Sequence, residues 1–476
     1  MNYKPLDYCK AVQLGEESIF KEVNAPLKKL LFYKKEKDNI TIYKSATSPG
    51  KSYGSIYEFL TSCLREVLLP SGWPYSVSDD YISYQIWDSA QAFCSGITSI
   101  LSTRAILIGV GVGRSESKPL SATITWVLKD GTGMCGKIIF AWLKGKSLDT
   151  DCKKWRLFAD ILNDSAMALE LVIPMFVDYS TELLCFSSSM KAIVGVAGGA
   201  TRASITQHQA IRDNTGDVSA KDGSQETFVN LCASVFGVIL LTFFDEGSYD
   251  WTLFAIFCIL HLYCNYKAVK SLHMRTLNEE RYTILLKHYF STNKILETEK
   301  TNKNESVFLG IGFSARNLCN FRIRLGCSLN EVCLKISPNS LERIVNIFEN
   351  CNYILILHTK SRTICILLKT NETADTVLSA YFAAVYYGLA LSYYNRLPWE
   401  KLSNYDTTES PLITIRNSID RTQNLSKKIV DLEIEDKKNV LKLARDQFYK
   451  FREIAIRAGW NMNTHQLQLE EWRYQK

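Results

Sequence analysis

Two short words recur in this chain in the same order. Thr103-Arg104-Ala105 precedes Lys129-Asp130-Gly131-Thr132, and Thr201-Arg202-Ala203 precedes Lys221-Asp222-Gly223-Ser224. Each pair sets an arginine and a lysine-aspartate couple within or beside stretches of Gly, Ala and bulky apolar residues, where an isolated charge is costly unless paired or used. Arg104, Lys129, Asp130, Arg202, Lys221 and Asp222 are therefore the candidate substrate-binding set. The four cations would draw an anionic ligand, while the carboxylates orient them or take up a coupling proton. Structural ion pairs that lock helices together are the competing reading of the same charges.

Gly131-x-Gly133-x-x-Gly136-Lys137 also spells a phosphate-loop or dinucleotide-type sequence, with 122–128 readable as a strand before it, which would make an enzyme. No second βαβ unit with a ribose-binding acid follows, and the duplicate word continues Ser224-Gln225-Glu226-Thr227 without glycines. Gly131 and Gly133 would alternatively break a helix and expose backbone groups to a ligand. Gly195, Gly198 and Gly199 have the spacing of close helix packing. The 14 cysteines show no CxxC or Cys/His clustering, so reduced thiols and no metal site are expected. His208, between Gln207 and Gln209, reads as a helix-end hydrogen-bonding residue rather than a base. No catalytic residue and no cofactor is assigned.

A chain of 476 residues, 46% hydrophobic and 22% charged, has room for two or three cores. Its mean hydropathy of −0.07 is too polar for a chain that is membrane throughout. The net charge of +7, without Lys/Arg blocks interleaved with aromatics, argues against nucleic acid as a partner. The opening Met1-Asn2-Tyr3-Lys4-Pro5-Leu6-Asp7 has neither a signal-peptide core nor transit-peptide composition, so insertion would use internal segments.

Residues 1–68 read as a soluble lead-in, with a strand at Ile40 to Tyr43 and an amphipathic helix near Ile56 to Leu69. Residues 69–277 form a helical region with six apolar segments at about 84–112, 119–143, 155–177, 184–205, 226–244 and 250–271. They divide into a repeat of three and three, about 84–177 and 184–272, with one word pair in each half. A linker is expected over 278–325, then an α+β domain over 326–476. There Glu331 to Ile336, Tyr353 to His358 and Thr363 to Lys369 read as strands, and Ser340 to Glu349, Thr373 to Tyr394 and Glu435 to Arg457 as helices, the last capped near Gly459.

Phe228 to Phe244 and Trp251 to Cys264 fall slightly short of the ~20 apolar residues a spanning helix prefers. The third segment carries Arg156, Asp160, Asn163, Asp164 and Glu170, a polar stripe roughly 120° wide at 100° per residue. It would face either a polar bundle interior or water, and periodicity leaves both open. If all six segments span, one side receives Lys144, Lys146, Lys153, Lys154, Arg212, Lys267 and Lys270, while the opposite side receives Arg114 and Lys118 and then the loops around Asp178 to Glu182 and Asp245 to Asp250, which lack Lys and Arg. The positive-inside rule then makes both termini cytoplasmic and the two halves inverted. Fewer crossings, re-entrant segments and a wholly soluble bundle remain open.

A family resemblance rests on Leu69-Pro70-x-Gly72-x-Pro74-x-Ser76-Val77, Tyr84-Gln85-x-Trp87-Asp88, Lys129 to Met134, Trp155 to Asp164, Gly195 to Ala203 and Asp217 to Thr227. These runs resemble the Root UVB Sensitive (RUS) family over about Leu69 to Leu241, and Gly459-Trp460 and Glu471-Trp472 are similar to its C-terminal part. The resemblance implies a membrane protein, a link to vitamin B6 homeostasis and association with another family member or itself. It brings no catalytic residue.

The expected fold is mainly α, a helical membrane domain of two three-helix repeats followed by a soluble α+β domain. The expected function is a multi-pass transporter or carrier of a small anionic metabolite, with the lipid bilayer as partner. A membrane-embedded scaffold is the alternative, and an enzyme built on Gly131 to Gly136 the third reading.

Overall fold

The computed structural model describes residues 3–6, 20–24, 29–36, 39–45, 55–110, 119–244, 249–333, 338–398, 410–419 and 429–475. Of the loop charges, Arg114, Lys118, Asp245 and Glu246 lie outside them. Contacts divide the chain into two compact units, 1–97 with 205–245 and 98–204 with 246–476.

The first unit begins with a four-stranded sheet of β1 (Tyr3–Leu6), β2 (Phe20–Asn24), β3 (Lys29–Glu36) and β4 (Asn39–Ser45), ordered β1-β4-β3-β2. Helix α1 (Ser55–Leu68) follows, where an amphipathic helix is expected. The unit also holds the first part of α2 (Tyr81–Val110) and a later helix, Thr215–Phe243. Val77, Tyr81 and Val218 form its small core, with Leu69, Trp73 and Ala210 against them. Gly96 allows the two long helices to meet, since a Cβ there would lie 2.7 Å from the Ala233 Cβ.

The second unit holds the rest of α2, then α3 (Pro119–Leu148), α4 (Cys152–Val172), most of α5 (Ser180–Gln209) and α7 (Asp250–Ser271). The helix Thr215–Phe243 is α6. All six apolar segments are thus helices. Among the described residues, five stretches are long and apolar enough to cross a membrane: α2, Val177–Gln209, α6, α7 and Ala374–Tyr394.

The last of these has 83% of its most apolar window buried, so it is the centre of a globular core. This is α13, after α8 (Glu279–Thr292), α9 (Thr298–Asn304), α10 (Ala315–Cys319), α11 (Leu329–Cys333) and α12 (Pro338–Ile347). The sheet beside it runs β5 (Arg322–Leu325), β7 (Thr363–Lys369), β6 (Tyr353–His358), with β8 (Arg473–Tyr474) also on β7. β6 and β7 pair antiparallel and are continuously apolar between their polar ends His358, Thr363 and Lys369, as strands buried on both faces should be. Helices α14 (Pro411–Ser418) and α15 (Ile434–Arg457) complete the packing, and Gly459 ends α15 at φ +87.

Two expectations change. Residues 278–325 carry α8, α9, α10 and β5, and Tyr282, Leu285, Tyr289 and Phe290 are fully buried in the same core as β6 and β7. That stretch is part of the core rather than a linker; its polar residues misled because they form buried ionic contacts. Residues Leu329–Cys333 are helical where a strand from Glu331 was expected, and 334–337 lie outside the described residues. Arg324 grips both oxygens of Glu331 at 2.7 and 3.1 Å, a tertiary contact that overrides a short alternating pattern.

The N-terminus of α4 is fixed in this body by Lys153, Arg281 and Glu305, each at most 2% exposed. Glu305 lies 3.0 Å from Lys153 and 2.9 Å from Arg281, and accepts from the Asn278 amide at 2.9 Å. Burial alone would raise this carboxyl, but the two cations outweigh it and hold it at about 2.

Candidate functional site

Helix α4 packs against α2, α3 and α5. Ala159 packs with Ala197 of α5, Trp155 meets Phe140 of α3 edge-on at 5.8 Å, and Thr98 of α2 reaches Met167 at 3.6 Å. Its polar stripe therefore faces protein. Asp164 and Glu170 are 3% and 2% exposed, while Asn163 and Asp160 are half-buried. A helix whose polar stripe is packed against protein tolerates acids because neighbouring side chains replace water.

Glu170 accepts from the Ser102 and Ser187 hydroxyls and lies 2.6 Å from the Lys191 ammonium. It borders a cleft of about 540 Å³ among α2, α3, α4 and α5, lined also by Trp126, Lys129, Asp130, Met134 and Leu107. Lys129 sits 4.3 Å over the Trp126 ring and 3.7 Å from Asp130, whose side chain is 63% exposed. Two ammonium groups, one indole and two carboxylates thus surround a partly apolar space. Such a lining suits a small ligand with an anionic group and a flat apolar body.

The remaining candidates have other partners. Arg104 pairs with Asp250 of α7 at 3.6 Å, whereas the ion pair of Asp130 is with Lys129. Arg202 is half-buried on α5. Lys221 and Asp222 belong to the first unit. Lys221 and Gln225 donate to the Glu66 and Leu68 carbonyls, satisfying the last turn of α1. Asp217 accepts the Ser71 N–H at 2.6 Å and Asp222 the Gln85 amide at 3.2 Å. This second word seats α1 and the turn after it.

The glycine-rich run is not a phosphate loop, and it does not break a helix. Gly131, Gly133 and Gly136 lie inside the continuous helix α3, and residues 122–128, read as a strand, belong to the same helix. A helix interior has its backbone N–H groups bonded within it and none to offer a phosphate. Close packing explains two of the glycines: a Cβ on Gly133 would meet Ser188 Oγ at 2.7 Å, and one on Gly136 the Ser189 backbone at 3.4 Å. His208 bonds Asp80 at 2.9 Å beside the helix end.

Lys191, Ser102 and Ser187 were not singled out from the sequence. Lys191 carries a signal, a lone cation in Met190 to Val194, but the serines carry none. A second polar cluster joins α4 to α7. His261 Nδ1 is 2.9 Å from both Asp164 oxygens, the Cys258 thiol donates to Asp164 at 3.2 Å, and Asn265 donates to Asp160.

Helix directions follow from these contacts. Gln85 meets Asp222 and Gly96 meets Ala233, so α2 and α6 run parallel. Thr125 meets Thr181 and Gly136 meets Ser189, so α3 and α5 also run parallel. Asp164 with His261 and Asp160 with Asn265 make α4 and α7 antiparallel.

Comparison with known proteins gives two family models that together match residues 57–476. A vitamin B6 photo-protection and homoeostasis domain matches 57–293, and a root UVB sensitive protein C-terminal model matches 294–476. RUS family member 1 of Dictyostelium discoideum is 44% identical over 317 residues, 63% of this chain and 58% of that protein. The alignment thus spans less than two thirds of that relative. Protein root UVB sensitive 3 of Arabidopsis thaliana is 34% identical over 356 residues, covering 72% of this chain and 80% of the relative. Protein root UVB sensitive 2, chloroplastic, of the same plant is 28% identical over 329 residues, 68% and 73% of the two chains. No solved structure matches.

Proposed function

Because the chain belongs to the root UVB sensitive family, we propose that it is a multi-pass membrane carrier of a small anionic metabolite, bound in the cleft beside Glu170. The observation that carries this reading is the pairing of Lys129 and Lys191 with an indole in a cleft among apolar helices. The name of the matching domain makes a phosphorylated vitamin B6 vitamer the first candidate.

Helix directions support six alternating crossings: in such a series the first and fifth helices run parallel, the second and fourth run parallel, and the third and sixth oppose. Leu120, Ile138 and Trp142 of α3 are 71%, 70% and 82% exposed, an apolar face suited to lipid. The charges that keep α3 from looking like a span include Lys129 and Asp130, which turn to the cleft. The duplication is supported by register. The first words stand 98 positions apart and the second 92. Applying those shifts to the α2–α6 separation of 137, seen at Gln85 and Asp222, gives 53 for the α3–α5 pair. Thr132 meets Cys185 at a separation of 53.

Thermal unfolding of the purified full chain with pyridoxal phosphate, and separately with inorganic phosphate, tests the cleft. A ligand at a hundredfold excess over its Kd stabilises by ~2.7 kcal/mol. Lys191→Met is expected to abolish that shift, and a shift unchanged in Lys191→Met would move the ligand elsewhere. The scaffold reading is favoured by the second copy of the Lys-Asp-Gly word, where Lys221 and Asp222, with Asp217 one turn before them, are all engaged in holding neighbouring segments. It expects no stabilisation by either probe.

A further inference from the structure

The seam between α4 and α7 buries ionisable groups that the cleft does not use. His261 is 1% exposed and both of its ring nitrogens face carboxylates: Nδ1 at 2.9 Å from Asp164, and Nε2 at 4.0 Å from Asp160. A neutral imidazole carries one N–H, so one of these carboxylates would face a bare lone pair. Only the imidazolium donates towards both. With the ring itself 1% exposed, that difference decides the protonation state.

The charge balance points the same way. The groups facing His261 are Asp160, Asp164 and Arg156 of α4, with Cys258 and Asn265 on its own helix. With His261 protonated, two cations balance two carboxylates, and without the proton the cluster is left with one excess negative charge. The carboxylates are already committed to protein donors, Asp164 to the ring N–H and the Cys258 thiol, Asp160 to the Asn265 amide. The vacancy such a cluster offers is for a proton.

We propose that His261, Asp164 and Asp160 form a proton-binding site between α4 and α7, and that, on the carrier reading above, the proton is the coupled ion. Loss of the proton leaves an uncompensated carboxylate in an apolar seam, which is relieved when the helices part or water enters. Asp164 and Glu170 are six residues apart on one helix, about 9 Å along its axis at 1.5 Å per residue. Movement of α4 against α7 therefore reaches the cleft without an intermediary.

The test is NMR of the full chain, labelled with 15N on its histidine rings, in lipid nanodiscs. The chain has six histidines, and the His261 signal is the one that His261→Gln removes. At pH 7 both of its ring nitrogens are expected to carry protons, whereas Asp164→Asn should give a single neutral tautomer, a loss of at least tenfold in proton affinity. If Asp164→Asn does not fold, Asp160→Asn removes the second carboxylate from the more exposed side. A neutral His261 in the native chain at pH 7, or an imidazolium unaffected by the folded variant, overturns the site. With pyridoxal phosphate as the probe, a His261 protonation unchanged by bound ligand removes the coupling role. Failure of the probes to stabilise the chain removes the carrier reading and leaves the histidine result standing.

Discussion

Glu305→Gln should be among the most damaging single substitutions outside the helical region. It leaves the Lys153 ammonium and the Arg281 guanidinium, each 1% exposed, without their anion. Breaking a buried ion pair by removing one partner costs about 3–5 kcal/mol. The carboxyl itself gives a second measure. Its shift from 4.5 to about 2 corresponds to roughly 3 kcal/mol at 1.36 kcal/mol per unit. The folded-state value is depressed, so this stabilisation is complete above about pH 4.5 and is lost as pH falls towards 2. For a body of this size, roughly 2–4 °C per kcal/mol implies a Tm lowered by ~6–20 °C in the variant at pH 7. Tryptophan fluorescence of the full chain is a suitable readout, because Trp460 is 3% exposed within that core and donates to the Leu296 carbonyl. Only below about pH 2, where the folded-state carboxyl is itself protonated, should the native chain and the variant converge. Replacing all three charges by Met, Met and Leu should recover much of the loss, since a packed apolar triad removes the uncompensated cations. A Glu305→Gln chain with unchanged Tm, or a triple variant worse than the single, would refute the argument that this cluster anchors the start of α4.

Gly96→Ala should cost about 1–3 kcal/mol by overpacking, because its Cβ would stand 2.7 Å from that of Ala233. Gly96→Ala with Ala233→Gly moves the methyl to the other helix and should restore stability; a double variant no better than the single would show that the two helices do not meet there. The six-crossing reading predicts that cysteines placed at Ser147 and Ser248 differ in labelling by an impermeant reagent in sealed vesicles, from the Lys/Arg asymmetry of the loops. Equal labelling of both would remove it.

The sequence made the six apolar helices legible because their periodicity is local, and β6 and β7 because short continuous runs such as Tyr-Ile-Leu-Ile-Leu-His bury on both faces. What it could not show is which neighbour receives each charge. The Lys-Asp-Gly words are near-identical in spelling, yet Lys129 borders a cleft while Lys221 holds the end of α1. The difference lies in residues far along the chain: position 133 is a glycine that admits Ser188, whereas Gln225, at the equivalent place after the second word, reaches the Leu68 carbonyl. The same limit hid His261. In its own segment it is one polar residue among apolar ones, and it becomes a proton site only because Asp160 and Asp164 stand one turn apart on a helix 97 positions earlier. In both cases the partner and not the word decides the role: the Glu66 carbonyl makes Lys221 an anchor, the space beside Trp126 leaves Lys129 at a cleft, and the two carboxylates of α4 set the charge that His261 meets.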